Sequence, residues 1–399
     1  MKLLFLANRF PYPPFRGDKL KIFHLAKRLA AKGHSLHLLT FLEDEKDRQY
    51  IGKLQEVFEE IHLVKLPKTK SLMRVARGVF SEVPFQVLYF RSPQMQYAVD
   101  DLLSKNHYEA VHVQHLRMAP YLAGHKEIPR ILDLPDAFSL YWKRRLRIAG
   151  NPVKKRLAKM EFERVYQYEK EMIRAFDKVL TCSAEDLEYL AKEHHAQNLA
   201  LLPNGVDLEQ FQTENHDYKG AQVLLFTGNM DYAPNVDAVV YFAKEIFPLI
   251  LQKHPDARFV IAGQRPVKAV VALASKNIEV TGFVENLATM YSRAAVLVAP
   301  LRFGAGTQNK VLEAMAMGVP VVCSQVGFNG LGIADGEGAF MRTDVASFAQ
   351  QVSALLSNEN LRENTGKTGK AHIRAALGWE VIAGKLEGYL QEIARAVAS

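Results

Sequence analysis

The chain has 399 residues, 48% hydrophobic and 24% charged, a globular composition that excludes wholesale disorder. Lys+Arg number 51 against Asp+Glu 43, and the net charge of +8 suits simple solubility, anionic substrates or an anionic surface. The two cysteines, Cys182 and Cys323, exclude a disulfide framework and a Cys-rich zinc site; reduced thiols in a cytoplasmic protein are expected. At about 150 residues per domain the length predicts two or three domains. The apolar run Leu3–Ala7 is too short for a signal-peptide core, and no stretch approaches the ~18 apolar residues of a spanning helix. Any membrane contact is therefore expected at the surface.

Strands are predicted at Lys2–Ala7, Ser35–Leu42, Ile61–Leu66, Ala110–Gln114, Arg130–Leu134, Lys178–Cys182 and Leu199–Leu202. Between the first two, Ile22, Phe23, Ala26, Leu29 and Ala30 stand at helical spacing in Asp18–Lys32, and Gly33 stops the helix. Strand, helix and strand in this order predict a parallel sheet with right-handed crossovers. The pattern breaks at PNGVDLEQF (Pro203–Phe211) and the polar QTENHDYKG, read as a linker. A second series follows, with strands at Gln222–Thr227, Arg258–Ala262, Ile278–Thr281, Val296–Ala299, Val319–Ser324 and Gly338–Met341. Its helices are predicted at Val236–His254 (broken at Pro248), Val267–Lys276, Asn286–Ala294, Gln308–Met317, Ala346–Leu356 and Leu361–Ala376, and a last one at Trp379–Ala396. Two open α/β sheets of about 200 residues each predict a cleft between their carboxyl edges, the default ligand site.

The strongest local feature is APLRFGAGTQNKVLEAMAMGVPVV, Ala299–Val322. Gly304 and Gly306 let backbone N–H groups approach a ligand, Thr307 and Gln308 lead into a helix, and the helix N-terminus suits a phosphate or diphosphate. Lys310 and Glu313 share one helix face; Lys310 reaches for phosphate and Glu313 for ribose hydroxyls. A Gly turn before a helix with an exposed Lys–Glu pair fits the same residues. The glycines do not form a nicotinamide fingerprint, and no P-loop occurs.

FRGDK (Phe15–Lys19) follows the first strand, with Gly17 for an unusual backbone angle and Asp18 as N-cap. GNMDYAPNVDA (Gly228–Ala238) opens the second domain's first unit, where Gly228 lets a ligand approach and Asn229 and Asn235 offer polar reach or turn-forming propensity. In VHVQHL, His112 and His115 end a strand as a candidate general base, or as structural histidines, with no zinc spacing. Asp133 and Asp136 close the next strand, to bind acceptor hydroxyls or cap a helix. Eight cations, Lys143, Arg144, Arg145, Arg147, Lys154, Lys155, Arg156 and Lys159, occupy Ser139–Met160 with no acidic residue. They fit a solvated helical face or an anionic membrane surface; no nucleic-acid motif accompanies them. No Asp-x-Asp pair ends a strand and no HExxH or GxSxG occurs, so no metal site is expected.

Taken together, the strand–FRGDK–helix start ending AAKGHSLHLLTF, LLPNGVDLEQF and the Lys310/Glu313 segment resemble a GT-B glycosyltransferase of the family 4 (group 1) type, over essentially the whole chain. FTGNMDYAPNVDAV and the Ala299–Val322 segment look like sugar transferases of the PEP-CTERM/exosortase exopolysaccharide system. The resemblance implies two Rossmann-like domains facing each other across a cleft, 1–206 on the acceptor side and 207–378 binding the donor, with a C-terminal helix, 379–399, crossing back. It implies a metal-independent, retaining hexosyltransferase in polysaccharide biosynthesis, with a nucleotide-diphosphate sugar as donor substrate and no cofactor. The acceptor would be a glycan or polyprenyl-phosphate-linked, at the inner face of the membrane. Glu313 would hold ribose, the backbone of Gly304–Gln308 the diphosphate, and Gly17 and the His112/His115 strand end the acceptor side. A nucleotide-sugar epimerase of the same fold, or a non-catalytic scaffold in a polysaccharide complex, are the alternatives.

Two departures stand out. The family's first Glu of Glu-x7-Glu falls at Ala305, and its diphosphate-neutralising Arg and Lys fall at Asn229 and at or beside Asn235. Lys310, Arg302 or Arg265 must then supply the cation. Gln114 aligns with the family's histidine, with His115 beside it.

Overall fold

The computed structural model describes residues 1–14, 17–148, 150–212, 216, 218, 222–304 and 307–398. They form two compact units, Met1–Pro203 with Trp379–Ser399, and Asn204–Gly378. The division therefore falls after Pro203 rather than after Val206. The cause is local: the Val206 amide bonds the Leu377 carbonyl at 2.8 Å, so the residues after Pro203 already belong to the second unit.

The first unit is built on a seven-stranded parallel sheet. Its strands are β1 (Lys2–Ala7), β2 (Ser35–Leu42), β3 (Glu60–Lys65), β4 (Ala110–Gln114), β5 (Arg130–Leu134), β6 (Lys178–Thr181) and β7 (Leu199–Leu201), in the order β3-β2-β1-β4-β5-β6-β7. Leu3 to Ala7 are fully buried, as a central parallel strand covered by helices on both faces requires. The order reverses between β1 and β4, which leaves a crevice beyond their carboxyl ends. The last helix, Trp379–Ala398, packs on the first, Gly17–Ala31: the Trp379 ring stacks on His24 at 5.4 Å, and Arg28 and Lys32 pair with Glu380 (3.2 Å) and Glu387 (2.7 Å).

The second unit carries a six-stranded parallel sheet, ordered β10-β9-β8-β11-β12-β13. The strands are β8 (Val223–Thr227), β9 (Arg258–Ala262), β10 (Ile278–Gly282), β11 (Val296–Ala299), β12 (Val321–Cys323) and β13 (Ala339–Met341). Here the reversal lies between β8 and β11. Each sheet has its own apolar core, one around Leu4, Leu6, Val113 and Leu132, the other around Phe226, Phe242, Phe259 and Val298.

Helix lengths depart from expectation in several places, the expected Asn286–Ala294 helix being only Leu287–Tyr291. Pro248 does not break its helix. Ala233–Tyr241 continues through a π turn, Phe242–Ile246, into Phe247–Leu251, and the Phe247 amide bonds back to the Phe242 carbonyl, so the wider turn lies directly before the proline that has no N–H to give. The expected Val267–Lys276 helix is only Lys268–Val271.

Candidate active site

The candidate residues gather at the two chain reversals, each within its own unit. In the second unit β8 ends at Thr227, and Gly228 follows with φ +152. A Cβ on neighbouring Gly263 would stand 1.6 Å from the Gly228 carbonyl oxygen, so only glycine lets these two loops pass. Asn229 is fixed by Gln264, whose Nε2 donates to its Oδ1 at 2.9 Å. Asn235, in the first turn of the Ala233–Tyr241 helix, donates to the Asn229 carbonyl at 3.0 Å and turns its Oδ1 inward.

That oxygen receives Lys310. After β11 the helix Asn309–Ala316 begins, and its first internal bonds come from the amides of Val311 and Leu312, so the amides of Asn309 and Lys310 precede the ladder. Lys310 is buried; its Nζ donates to Asn235 Oδ1 at 2.7 Å and lies 4.5 Å from the Phe226 ring centroid. Burial brings its pKa down to about 7, against a smaller upward pull from Glu313. An asparagine at 235 therefore has a physical reason in this chain: a cation there would face Lys310, whereas the amide oxygen accepts from it.

One turn on, Glu313 accepts from the Tyr291 hydroxyl at Oε2, 2.7 Å, and Tyr291 shares a 2.8 Å hydrogen bond with Thr227 Oγ1. Burial raises the Glu313 pKa, partly offset by the Tyr291 bond and the Lys310 charge. Thr227, Tyr291 and Glu313 thus tie the β8 end to the helix face that carries Lys310. Tyr291 closes the Leu287–Tyr291 helix and is buried; nothing in the sequence pattern distinguished it from a core aromatic.

The other expected cations lie differently. The Arg265 backbone is left-handed (φ 57), and its exposed guanidinium pairs with Asp231 at 3.2 Å. Arg302 donates through Nε to Asp237 at 2.8 Å and lies over the Tyr241 ring. Lys310 is the candidate cation at the helix start. Gly304 takes φ +153 and Thr307 is buried. Gln308 is the N-cap residue of the helix. Gly306, and Ala305 at the position of the missing glutamate, lie outside the described residues.

In the first unit, Gly17 opens the first helix and Asp18 pairs with Arg9 at 2.9 Å. Gln114 Nε2 donates to the Asp18 carbonyl at 2.6 Å, joining the β4 end to that helix start. His115 follows β4 with φ 82, its buried ring 4.4 Å from that of Phe138; burial holds its pKa well below the usual value, hence a neutral imidazole. His112 points into the core instead. It is fully buried beside Phe5, and its Nε2 lies 3.4 Å from Asp133 Oδ2, while Asp133 Oδ1 accepts from Lys21 at 2.6 Å. Asp133 is thus part of a buried charge network. Asp136 is pushed up to about 7 by burial and the nearby Asp186. Asn8, directly after β1, is fully buried with both side-chain polar atoms unpartnered among the described residues, a position sequence reasoning passed over.

Among the described residues, one group has metal-ligand proximity: His37, Glu60 and His62 on β2 and β3, at the amino edge of the sheet. His62 Nε2 and Glu60 Oε2 there are 3.0 Å apart.

Two parallel Rossmann-like sheets with sites at their chain reversals define a GT-B protein. The chain belongs to the glycosyltransferases: residues 22–210 match the Glycosyltransferase Family 4 model, and residues 221–358 the model for glycosyl transferases group 1. Among curated relatives, an uncharacterized 44.6 kDa protein in the cps region of Klebsiella pneumoniae is 21% identical over 88% of this chain and 90% of its own length. The capsular polysaccharide biosynthesis glycosyltransferase CapM of Staphylococcus aureus is 24% identical over 50% of this chain, and the matched stretch is 56% of CapM. Sucrose-phosphate synthase from Thermosynechococcus elongatus superposes with a TM-score of 0.73 at 17% identity, over 99% of this chain and 100% of that one. HepE of Anabaena in complex with UDP-glucose gives 0.69 at 13%, over 98% and 100%. Among the described residues no helix is long and apolar enough to cross a membrane.

Proposed function

We propose that the protein is a retaining, metal-independent hexosyltransferase of polysaccharide assembly. It moves a sugar from a nucleotide-diphosphate donor to a glycan or polyprenyl-phosphate-linked acceptor, on this proposal as a transferase of the PEP-CTERM-associated kind. One observation carries the reading: a buried lysine of lowered pKa and a tyrosine-fixed glutamate one turn apart, at the start of the helix beside the β8/β11 reversal. Glu313 takes the ribose hydroxyls, with Oε2 held by Tyr291. Lys310 and the amides of Asn309 and Lys310 take the diphosphate.

Cleavage of the sugar–phosphate C–O bond puts positive character on the sugar and negative charge on the diphosphate. The Lys310 ammonium and the helix N-terminus face that developing charge in a low-dielectric setting. The leaving phosphate oxygen then accepts the proton of the acceptor hydroxyl, whose oxygen bonds to the sugar on the face just vacated, so the configuration is retained. On the acceptor side neutral His115 contributes a hydrogen-bonding group and Gly17 a close backbone approach. The names of CapM and of the UDP-glucose complex of HepE agree with this chemistry.

Thermal shift with UDP-, GDP-, ADP- and dTDP-sugars tests it: one of these raises the melting temperature by mass action, and Glu313→Ala abolishes the rise. A parent chain stabilised by none of them refutes the donor assignment. An epimerised nucleotide sugar formed without acceptor marks an epimerase, and binding without hydrolysis or transfer marks a scaffold.

A further inference from the structure

The eight-cation run does not act as one patch. It is split between two helices, Phe138–Ile148 and Pro152–Ala175. On the first, Lys143 pairs with Glu193 at 3.0 Å and Arg144 with Glu185, both acids belonging to the Ala184–His194 helix. Arg145 lies over the Trp142 ring. On the second helix Lys154, Lys155, Arg156 and Lys159 are all exposed, and its first turn has no acidic residue.

Large apolar side chains stand out beside them. Val153 is 76% and Leu157 47% exposed. Val153, Leu157, Glu161 and Arg164 recur at helical spacing and form one stripe. Its inner end is docked: Glu161 accepts from the Phe85 amide at 2.8 Å, and Arg164 bonds the Val79 carbonyl and covers the Phe85 ring. Its outer end runs past that contact into solvent. The segment it docks against repeats the composition. Lys68–Arg77 is a helix without an acid in its first turn, followed by the 3₁₀ turn Gly78–Phe80. Leu72 is 61%, Met73 51% and Phe80 98% exposed, between Lys68, Lys70 and Arg77, which are exposed too.

Of the thirteen exposed large hydrophobics among the described residues, six fall in these two short segments: Leu72, Met73, Val79, Phe80, Val153 and Leu157. Neutral solvent exposure scatters such residues singly. Clustering them among exposed Lys and Arg, of which Lys159 pairs with Glu163 at 3.8 Å, instead gives the composition of an interfacial membrane face, with apolar side chains entering the acyl boundary and cations meeting lipid phosphates. We infer that the surface formed by Leu72–Phe80 and Val153–Lys159 docks on an anionic lipid bilayer, and that the Lys143–Arg145 turn is not its anchor. The occupant follows from charge: exposed Lys68, Lys70, Arg77, Lys154, Lys155 and Arg156 outnumber the flanking acids Glu82 and Glu163, so a second copy of the same face would be repelled, whereas an anionic lipid surface is complementary.

The inference stands apart from the catalytic reading, because vesicle binding needs neither donor nor turnover. Full-length protein is sedimented with phosphatidylcholine vesicles, with and without phosphatidylglycerol. Binding is expected only to the anionic vesicles, weakened by high salt. The triple variant L72S/M73S/F80S, with its melting temperature kept, is expected to bind at least tenfold more weakly, as is K154Q/K155Q/R156Q/K159Q. Glu313→Ala is expected to bind as the parent does. Absence of parent binding to anionic vesicles overturns the inference. So does full binding by the triple variant, a loss on K143Q/R145Q alone, or a dimer in sedimentation velocity that the triple variant abolishes while vesicles are ignored.

Discussion

Lys310 gives two pH dependences of opposite sign. Its ammonium is buried on Asn235 Oδ1 and the Phe226 face, and its pKa stands at about 7 against 10.5 for an ordinary lysine. Folding therefore disfavours the charged form. Below pH 7 the group is charged in both the folded and the unfolded chain and its penalty is complete; between pH 7 and 10.5 the unfolded chain binds more protons, so this group makes the free protein more stable as pH rises. A diphosphate at the helix start reverses the preference, since an anion beside the amine favours the ammonium. At pH 8 the free protein carries the proton on only about a tenth of its molecules, so binding should take up about 0.9 proton per nucleotide. Affinity should fall about tenfold for each pH unit above 8 until the bound-state pKa is reached. Calorimetry in two buffers of different ionisation enthalpy, such as HEPES and Tris, reads the uptake directly, with the nucleoside diphosphate that stabilises the protein as titrant. Lys310→Gln should bind with no uptake and with affinity flat in pH. Identical enthalpies for the parent in both buffers at pH 8 would refute the contact between Lys310 and the diphosphate.

Tyr291→Phe removes the hydroxyl that Glu313 and Thr227 share, at a cost of about 1–3 kcal/mol in denaturant unfolding, and weakens nucleotide binding with it; unchanged affinity would remove Tyr291 from the site. Gly263→Ala places a Cβ inside the Gly228 backbone and should lower stability by about 3 kcal/mol or more; a fall below 1 kcal/mol would show that the loops separate readily. Lys21→Met leaves Asp133 charged and buried, costing about 3–5 kcal/mol at pH 7. In the parent, the Lys21 and His112 interactions outweigh burial and hold the Asp133 pKa below its usual 3.8, so that stabilisation is present above pH 4 and lost as pH falls through the lowered value. A parent and a Lys21→Met variant with the same acid-unfolding midpoint would contradict this assignment.

The sheets were legible because fully buried parallel strands are continuous apolar runs, so Lys2–Ala7, Arg130–Leu134 and Val296–Ala299 stand out with correct ends. The Gly304–Glu313 segment was legible for a related reason: in the sequence an apolar run, a glycine-containing stretch and an amphipathic pattern follow one another, and they match the strand Val296–Ala299 and the helix Asn309–Ala316. What stayed hidden depends on contacts across the sequence. Tyr291 reads as one more core aromatic until its hydroxyl is seen 2.7 Å from a carboxylate 22 residues on. His112 and His115 are three apart and alike in sequence, yet strand alternation sends one toward Asp133 and the left-handed residue after the strand turns the other against Phe138.

The cationic run shows the same limit in charge rather than in hydrogen bonding. Counting along the chain, Lys143 to Lys159 hold a positive charge equal to the whole net excess of +8. Folding brings Glu185 and Glu193, some forty to fifty residues away, against the first half, and no composition window over 139–160 includes them. In the second half Lys159 pairs with Glu163, while Lys154, Lys155 and Arg156 keep their charge because their helix extends past the segment it packs on, and the neighbouring Lys68–Arg77 helix, far off in sequence, adds to the same face. Electrostatic arguments from a charge run therefore need the acids that come to it from other elements; here those acids move the candidate membrane face from Tyr141 and Trp142 to Phe80 and Leu157.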